Sequence, residues 1–364
     1  MVYCYPHTVY NNIKMPCIKG VVTMETVRLL VDSNGDNEKS YSQAVDLLND
    51  GEVVAFPTET VYGLGAVATN DVAVKKIFEA KGRPSDNPLI VHIGTIEEIT
   101  NYIEEIPDNA NKLMNAFWPG PLTIIMKAKK DVLARSVTAG LTTVGMRMPD
   151  HKVALELLRK LKKPVAAPSA NRSGKPSPTK ASHVEEDLYG RIPLILDGGS
   201  TGIGLESTVL DVTVNPPVIL RPGGVTKEML EEVIGQVIQP NQEQQKLDST
   251  PKAPGMKYTH YAPNSPVFLI ESNKEYVQNA ILQLKNEGNK VALLAPATFK
   301  NLKVDYFFQN GEEGDQLYDA LRSCDKTDAT IILATATTAE GVGAAIMNRL
   351  EKAAGGKWFH SERG

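Results

Sequence analysis

The segment Lys81-Gly82-Arg83-Pro84-Ser85-Asp86-Asn87-Pro88 sets two cations close together in a short stretch with two prolines. Pro84 and Pro88 stiffen the chain and Gly82 lets it turn, which lowers the cost of ordering both cations before a ligand arrives. Arginine is a planar fork and lysine a point charge; together they suit phosphate oxygens, and Asn87 adds an amide. A solvated basic loop is the alternative. Arg147 closes the strand-like piece Thr142-Thr143-Val144-Gly145-Met146, and Arg221 follows the apolar residues 218–220. Thr58, Glu59, Thr60 and Tyr62 lie in a glycine-rich stretch ending at Gly65, which can offer hydroxyls and backbone N–H groups to a ligand or serve as a plain turn. His92 sits in an apolar strand, either as a satisfied core histidine or as a ligand contact. Two more loops are rich in small polar residues. One runs from Ala167 through Ser169 and Asn171 to Ser177. The other runs from Asp197 to Glu206, Ser207 and Thr208.

Lys81, Arg83, Arg147 and Arg221 therefore stand at strand or helix exits beside Ser/Thr/Asn-rich loops. That composition fits an anionic ligand with several phosphates. There is no recognisable Ser-His-Asp or Cys-His pair, so positioning and charge neutralisation are the available mechanism, not covalent catalysis. The Walker-type phosphate loop, H-E-x-x-H and G-x-S-x-G are absent, and Gly202-Ile203-Gly204 and Gly341-Val342-Gly343 are only partial glycine motifs.

The positioning elements follow the apolar spacing. Ala44, Leu47 and Leu48 predict a helix with Gly51 as its cap, and residues 52–56 a strand. Asn70 or Asp71 caps a helix whose inner face is Val74, Ile77 and Phe78. Strands are expected at 89–93, 121–126, 165–167, 194–196, 208–212 and 218–220, and helices at 151–161 and from Thr226 to Ile234. This gives an α/β or α+β unit of about 200 residues around a twisted, partly antiparallel sheet. Residues 236–250 are polar and aperiodic and read as a linker, followed by a proline-rich piece with Tyr258, His260 and Tyr261 that either packs on a surface or covers a site. From Val267 strands and helices alternate, which predicts a small, mainly parallel, doubly wound sheet.

The 364 residues suggest two domains, and a formal net charge of −4 gives no global basic field for nucleic acid. Cys4, Cys17 and Cys324 are scattered and odd in number, which argues against a disulfide framework or zinc site and for a reducing cytoplasm. Residues 1–35 contain no long apolar run, so neither a signal segment nor a membrane span is expected there. The first two dozen residues read as a loosely ordered extension, or even a translation-start artefact.

These motifs, in this order, resemble the YrdC-like family: Phe56-Pro57-Thr58-Glu59-Thr60-Val61-Tyr62-Gly63-Leu64, Lys81-Gly82-Arg83-Pro84 with Asn87-Pro88-Leu89, Trp118-Pro119-Gly120-Pro121-Leu122-Thr123, Arg147-Met148-Pro149, Pro168-Ser169-Ala170-Asn171-Arg172-Ser173-Gly174 and Glu206-Ser207-Thr208-Val209. Pro254-Gly255-Met256-Lys257-Tyr258-Thr259-His260-Tyr261-Ala262-Pro263 and the region after it resemble the family's two-domain form. The resemblance implies a YrdC-like twisted mixed sheet with helices, then a small Rossmann-like parallel α/β domain. It divides the chain into an extension (1–37), a catalytic domain (38–238), a linker over the active site (239–266) and a C-terminal domain (267–364).

The reaction it implies joins L-threonine, bicarbonate and ATP into threonylcarbamoyl-adenylate and releases pyrophosphate. Magnesium is expected with ATP, and no protein-held metal. By motif position the resemblance assigns Thr60, His92, Arg147 and Ser207 to threonine, and Arg83, Asn87, Thr143, Ala167, Ser169, Ser177, Arg221 and Tyr261 to the nucleotide. Lys81 and Arg83 carry the catalytic charge neutralisation. The expected partner is the machinery that transfers the threonylcarbamoyl group to tRNA, with weak or no direct tRNA binding and no membrane. An RNA-binding module of the same fold without adenylate synthesis is the competing reading, and a carbamoyl transferase a second one, disfavoured because three scattered cysteines cannot build that group's zinc-binding segment.

Overall fold

The computed structural model describes residues 17–18, 21–22, 24–32, 35–240, 261–311 and 314–360. Most of the expected N-terminal extension and most of the expected linker, including Tyr258 and His260, lie outside the described residues.

After a two-residue pair, β1 (Cys17–Ile18) and β2 (Val21–Val22), a ten-stranded sheet takes up most of the chain. Its strands are β3 (Val27–Leu30), β4 (Val54–Phe56), β5 (Gly63–Val67), β6 (Ile90–His92), β7 (Leu122–Lys127), β8 (Thr143–Arg147), β9 (Val165–Ala166), β10 (Leu194–Asp197), β11 (Thr208–Asp211) and β12 (Val218–Arg221). The order across the sheet is β12-β11-β7-β8-β6-β9-β5-β4-β10-β3, with parallel and antiparallel pairs mixed. The edge strand β3 lies in the strand-like piece that Met24 begins, within residues 1–37; it pairs in parallel with β10, and Arg28 clasps Asp197 at 2.7 Å. Its helices are α1 (Glu38–Asn49), α2 (Asp71–Lys81), α3 (Asp108–Phe117), the short α4 (Arg135–Thr138), α5 (Lys152–Leu161), α6 (Ala181–Leu188) and α7 (Lys227–Ile234).

Strand alternation decides what each sheet face does. Val91, Ile124, Met126 and Met146 point to one face and join the main core with Ile77 of α2, Leu113 of α3 and Leu230 of α7. On the other face, α1 and α5 pack Leu48 and Leu157 over Phe56 and Leu194. The neighbouring part of that face carries Ile90, His92 and Arg147, which line a cavity.

The glycine-rich stretch forms a hairpin turn over residues 57–62. Gly63–Val67 is β5, paired antiparallel with β4. Its glycines serve close packing: a Cβ on Gly65 would lie 2.6 Å from Val165 Cγ1 and 2.7 Å from Phe56 Cε1. Helices α3 and α6 were not anticipated, although Ala110, Leu113 and Met114 carry the spacing of a buried helix face.

The second sheet is fully parallel, in the order β13 (Val267–Ile270), β16 (Ile331–Thr335), β14 (Val291–Ala295), β15 (Tyr306–Gln309). Helices α8 (Lys274–Asn286), α9 (Leu317–Cys324) and α10 (Gly341–Ala354) complete it. Its two cores lie on opposite faces, one around α9 and α10 and one around α8, as a doubly wound sheet requires. Among the described residues no helix is long and apolar enough to cross a membrane.

Candidate active site

A cavity lined largely by polar and charged side chains opens on the face of the large sheet that carries Ile90, His92 and Arg147. Neighbouring strands supply its floor. β6 and β8 run parallel with His92 directly beside Arg147, and Ile90 shares their face two residues earlier. Burial and the Arg147 charge hold the His92 imidazole down at about 3, so it is neutral near pH 7. Arg147 is itself buried: its Nη2 meets Glu59 Oε1 at 2.6 Å and its Nε donates to the Gly120 carbonyl at 3.3 Å. Thr60 closes this side, its Oγ1 2.8 Å from that of Thr58 in the β4–β5 turn.

The opposite wall comes from α2 and the loop after β9. Asn70 caps the start of α2 through Val72 N and Ala73 N, and Gly82 ends it in the left-handed region at φ 61°. Lys81, the last helical residue, is thereby placed at the negative end of the helix. Its buried Nζ donates to the carbonyls of Ser169 and, at 2.5 Å, Asn171, so one lysine staples the small-residue loop to the helix end. Burial and the Arg83 charge push its pKa well down, while the two carbonyls favour the ammonium form. Arg83, Ala167 and Ser169 line the same cavity. Ser169 Oγ donates to Asn171 Oδ1 at 2.5 Å, which fixes the loop from within.

The third wall joins the ends of β11 and β12. Arg221 Nε and Nη2 donate to the Ser207 carbonyl at 3.1 and 2.9 Å, and Ser207 Oγ lies 2.8 Å from Thr123 Oγ1. Tyr261 forms the last edge, nearly buried, with φ 67° and its ring 5.2 Å from that of Tyr318 on α9. A non-glycine residue held in that region is strained, and Ala262 N bonding to Gly174 O at 2.9 Å helps keep it there.

The structure thus gathers Thr60, Lys81, Arg83, His92, Arg147, Ala167, Ser169, Ser207, Arg221 and Tyr261 around one cavity. Ser177 sits behind the wall and donates to Glu206 Oε1 at 2.5 Å. Asn87 is buried, and its amide has no hydrogen-bond partner among the described residues. Thr143 is not brought in. It begins β8 whereas Arg147 ends it, and four residues of extended chain separate them by roughly 13 Å.

Sequence reasoning gave no role to Glu206, which lines the cavity, or to Arg349 and Tyr318, which bind it from helices α10 and α9. The signal was present for Arg349: it continues the stripe Val342, Ala345, Ile346, with Leu350 and Ala353 beyond, so an arginine occupies a core position of an amphipathic helix. Among the described residues no three His, Cys, Asp or Glu side chains converge on a metal position.

Residues 46–223 match the family model described as "Telomere recombination" (Sua5, YciO and YrdC), and residues 225–355 match that of "Threonylcarbamoyl-AMP synthase, C-terminal domain". The threonylcarbamoyl-AMP synthase of Bacillus subtilis is 51% identical over 344 residues, covering 92% of this chain and 99% of that one. That of Pyrococcus abyssi is 50% identical over 318 residues, covering 86% and 93%. The solved structure of P. abyssi Sua5 complexed with L-threonine superimposes with a TM-score of 0.86 at 45% identity, covering 92% of this chain and all of that one.

Proposed function

The chain belongs to the YrdC-like family, in its two-domain threonylcarbamoyl-AMP synthase form, and from that premise we propose that it joins L-threonine, bicarbonate and ATP into threonylcarbamoyl-adenylate with release of pyrophosphate. One observation supports this most. A single cavity sets a wall of Thr60, His92 and Arg147 against a wall of Lys81, Arg83, Ser169 and Arg221. Two anionic substrates can meet there with their reacting ends together.

On this reading Arg147 takes the threonine carboxylate, and Thr60, Ser207 and the neutral His92 ring complete that subsite. Arg83, Ala167, Ser169, Arg221 and Tyr261 hold the nucleotide, with Asn87 and Ser177 beside it and Lys81 neutralising phosphate. The threonine amine attacks the bicarbonate carbon and water leaves. A carbamate oxygen then attacks the α-phosphorus, the bond to the β-phosphate oxygen breaks, and pyrophosphate departs. No side chain need become covalently attached, which agrees with a pocket of fixed cations and hydroxyls. Magnesium would travel on the ATP phosphates. The product would pass to the tRNA threonylcarbamoyl-transfer machinery in the cytoplasm. A net charge of −4 disfavours strong tRNA binding by this chain itself.

The test is pyrophosphate release with ATP and bicarbonate, with and without L-threonine. Release that depends on threonine is expected. Release that ignores it, or tight and steeply salt-dependent tRNA binding with no turnover, would overturn the reading.

A further inference from the structure

A carboxylate in a pocket built for anions needs an explanation. Glu206 lines the cavity and is buried, so an uncompensated charge there would repel phosphate and carry a desolvation cost. Its partners come mostly from the C-terminal unit. Tyr318 of α9 donates to Glu206 Oε2 at 2.7 Å, and Arg349 Nε of α10 donates to the same oxygen at 3.0 Å. Arg349 also reaches past the side chain: Nη2 donates to the Glu206 carbonyl at 3.4 Å, and Nη1 to the Pro222 carbonyl. One guanidinium thus ties together the two segments that carry Ser207 and Arg221. The same loop is clasped by packing. Leu205 belongs to the C-terminal core, and a Cβ on Gly204 would lie 2.6 Å from the Asp315 backbone.

We propose that Arg349, with Tyr318, is a positioning residue of the active site: it neutralises and orients Glu206, and through the Glu206–Ser207 segment it sets Arg221 for the nucleotide. The C-terminal unit is then part of the catalytic pocket's charge balance as well as a cover. This rests on the reading of the cavity as the ATP site.

The charged and phenolic groups facing the Glu206 carboxylate are Arg221, Arg349, Lys352, Tyr261 and Tyr318. Burial alone would raise its pKa, but the Arg349 and Arg221 charges, with bonds from Ser177 and Tyr318, hold it at about 2. Arg349 has no solvent exposure. A fully buried arginine on a helix's apolar stripe is tolerated only where its partner is fixed.

The experiment is a cycle in the full-length chain: wild type, Arg349→Met, Glu206→Gln and the double variant, each titrated separately with ATP and threonine by pyrophosphate release across pH 5.5 to 8.5. Arg349→Met should raise the ATP KM by roughly tenfold or more at pH 8, the effect of one unpaired charge at an effective dielectric near 20. The defect should shrink as pH falls and the unpaired carboxylate takes a proton, and the double variant should recover most of it. An unchanged ATP KM in Arg349→Met overturns the proposal. So does a defect that is independent of pH and undiminished in the double variant, because Arg349 would then only pack the units together. If Arg349→Met does not fold, Tyr318→Phe takes its place: a smaller rise, abolished by Glu206→Gln, is expected, and no rise at any pH overturns the proposal. Failure of the wild type to show threonine-dependent release would instead count against the functional reading.

Discussion

Replacing Arg147 by methionine should separate the two subsites. Arg147 and Glu59 are nearly closed to solvent, with 5% and 11% of their side chains exposed, and meet at 2.6 Å. Neither Glu59 oxygen has another hydrogen-bond partner among the described residues. Arg147→Met therefore removes the fork proposed for the threonine carboxylate and strands Glu59 beside it. Loss of charge-assisted hydrogen bonds costs about 1.5–3 kcal/mol, which predicts a threonine KM raised roughly 10- to 150-fold. Stranding a buried partner costs the fold about 3–5 kcal/mol. Adding Glu59→Gln should return much of that stability without restoring threonine affinity, because it cures the stranded charge and supplies no new fork. The assay is pyrophosphate release with threonine varied at saturating ATP, then ATP varied at saturating threonine, beside thermal melts. A threonine KM within twofold of wild type, with a raised ATP KM, would refute the assignment and move Arg147 to the nucleotide side.

Three further outcomes are expected. His92, held at about 3 against an ordinary value near 6.5, binds fewer protons folded than unfolded between those limits, so its contribution to stability is present above about pH 6.5 and lost as pH falls toward 3. Denaturant melts of His92→Asn between pH 7 and 5 should therefore show a flatter slope than wild type, by up to about 1.4 kcal/mol per pH unit; parallel slopes would mean the ring is not held neutral. Lys81→Met leaves the Ser169 and Asn171 carbonyls without their donor, at about 1–3 kcal/mol each, and should also raise the ATP KM. A melting midpoint equal to wild type would show that the staple is not needed. Gly65→Ala forces a methyl into Val165 and Phe56 and should cost about 1–3 kcal/mol by chemical denaturation, whereas a neutral result would show that the β4–β5 hairpin can yield there.

Some of this was legible in the sequence because it depends on local rules. Asn70 and Gly82 bracket α2 as helix capping predicts, so Lys81 could be placed at a helix exit before any coordinates. The strand at 89–93 was legible too, but whether His92 faced core or pocket stayed open until Val91 was seen in the core and Ile90 and His92 in the cavity. Neighbours across the sheet were not legible. That His92 lies beside Arg147, 55 residues on, is a matter of strand order, and local patterning does not encode strand order. Thr143 shows the same limit from the other side: it shares β8 with Arg147 but does not line the cavity. The glycines of β5 are ambiguous because an unneeded side chain and a needed positive φ look alike in sequence. Only the packing of Phe56 and Val165 distinguishes them.

The charge pattern of the finished pocket explains why two sheets share it. Lys81, Arg83, Arg147 and Arg221 face a cavity that also contains the carboxylate of Glu206, with Glu59 behind Arg147. Glu59 is committed to Arg147. Glu206 adjoins Arg221, whose guanidinium donates instead to the Ser207 carbonyl and hydroxyl. If Arg221 alone had to balance Glu206, it would have little charge to offer a phosphate. Arg349, entering from α10 behind the wall, supplies the ion pair to Glu206 and leaves Arg221 oriented by neutral acceptors. On the proposed reading, an Arg221 held by neutral acceptors keeps its charge available to the nucleotide, because stabilising the departing phosphate charge is most of what the protein can contribute.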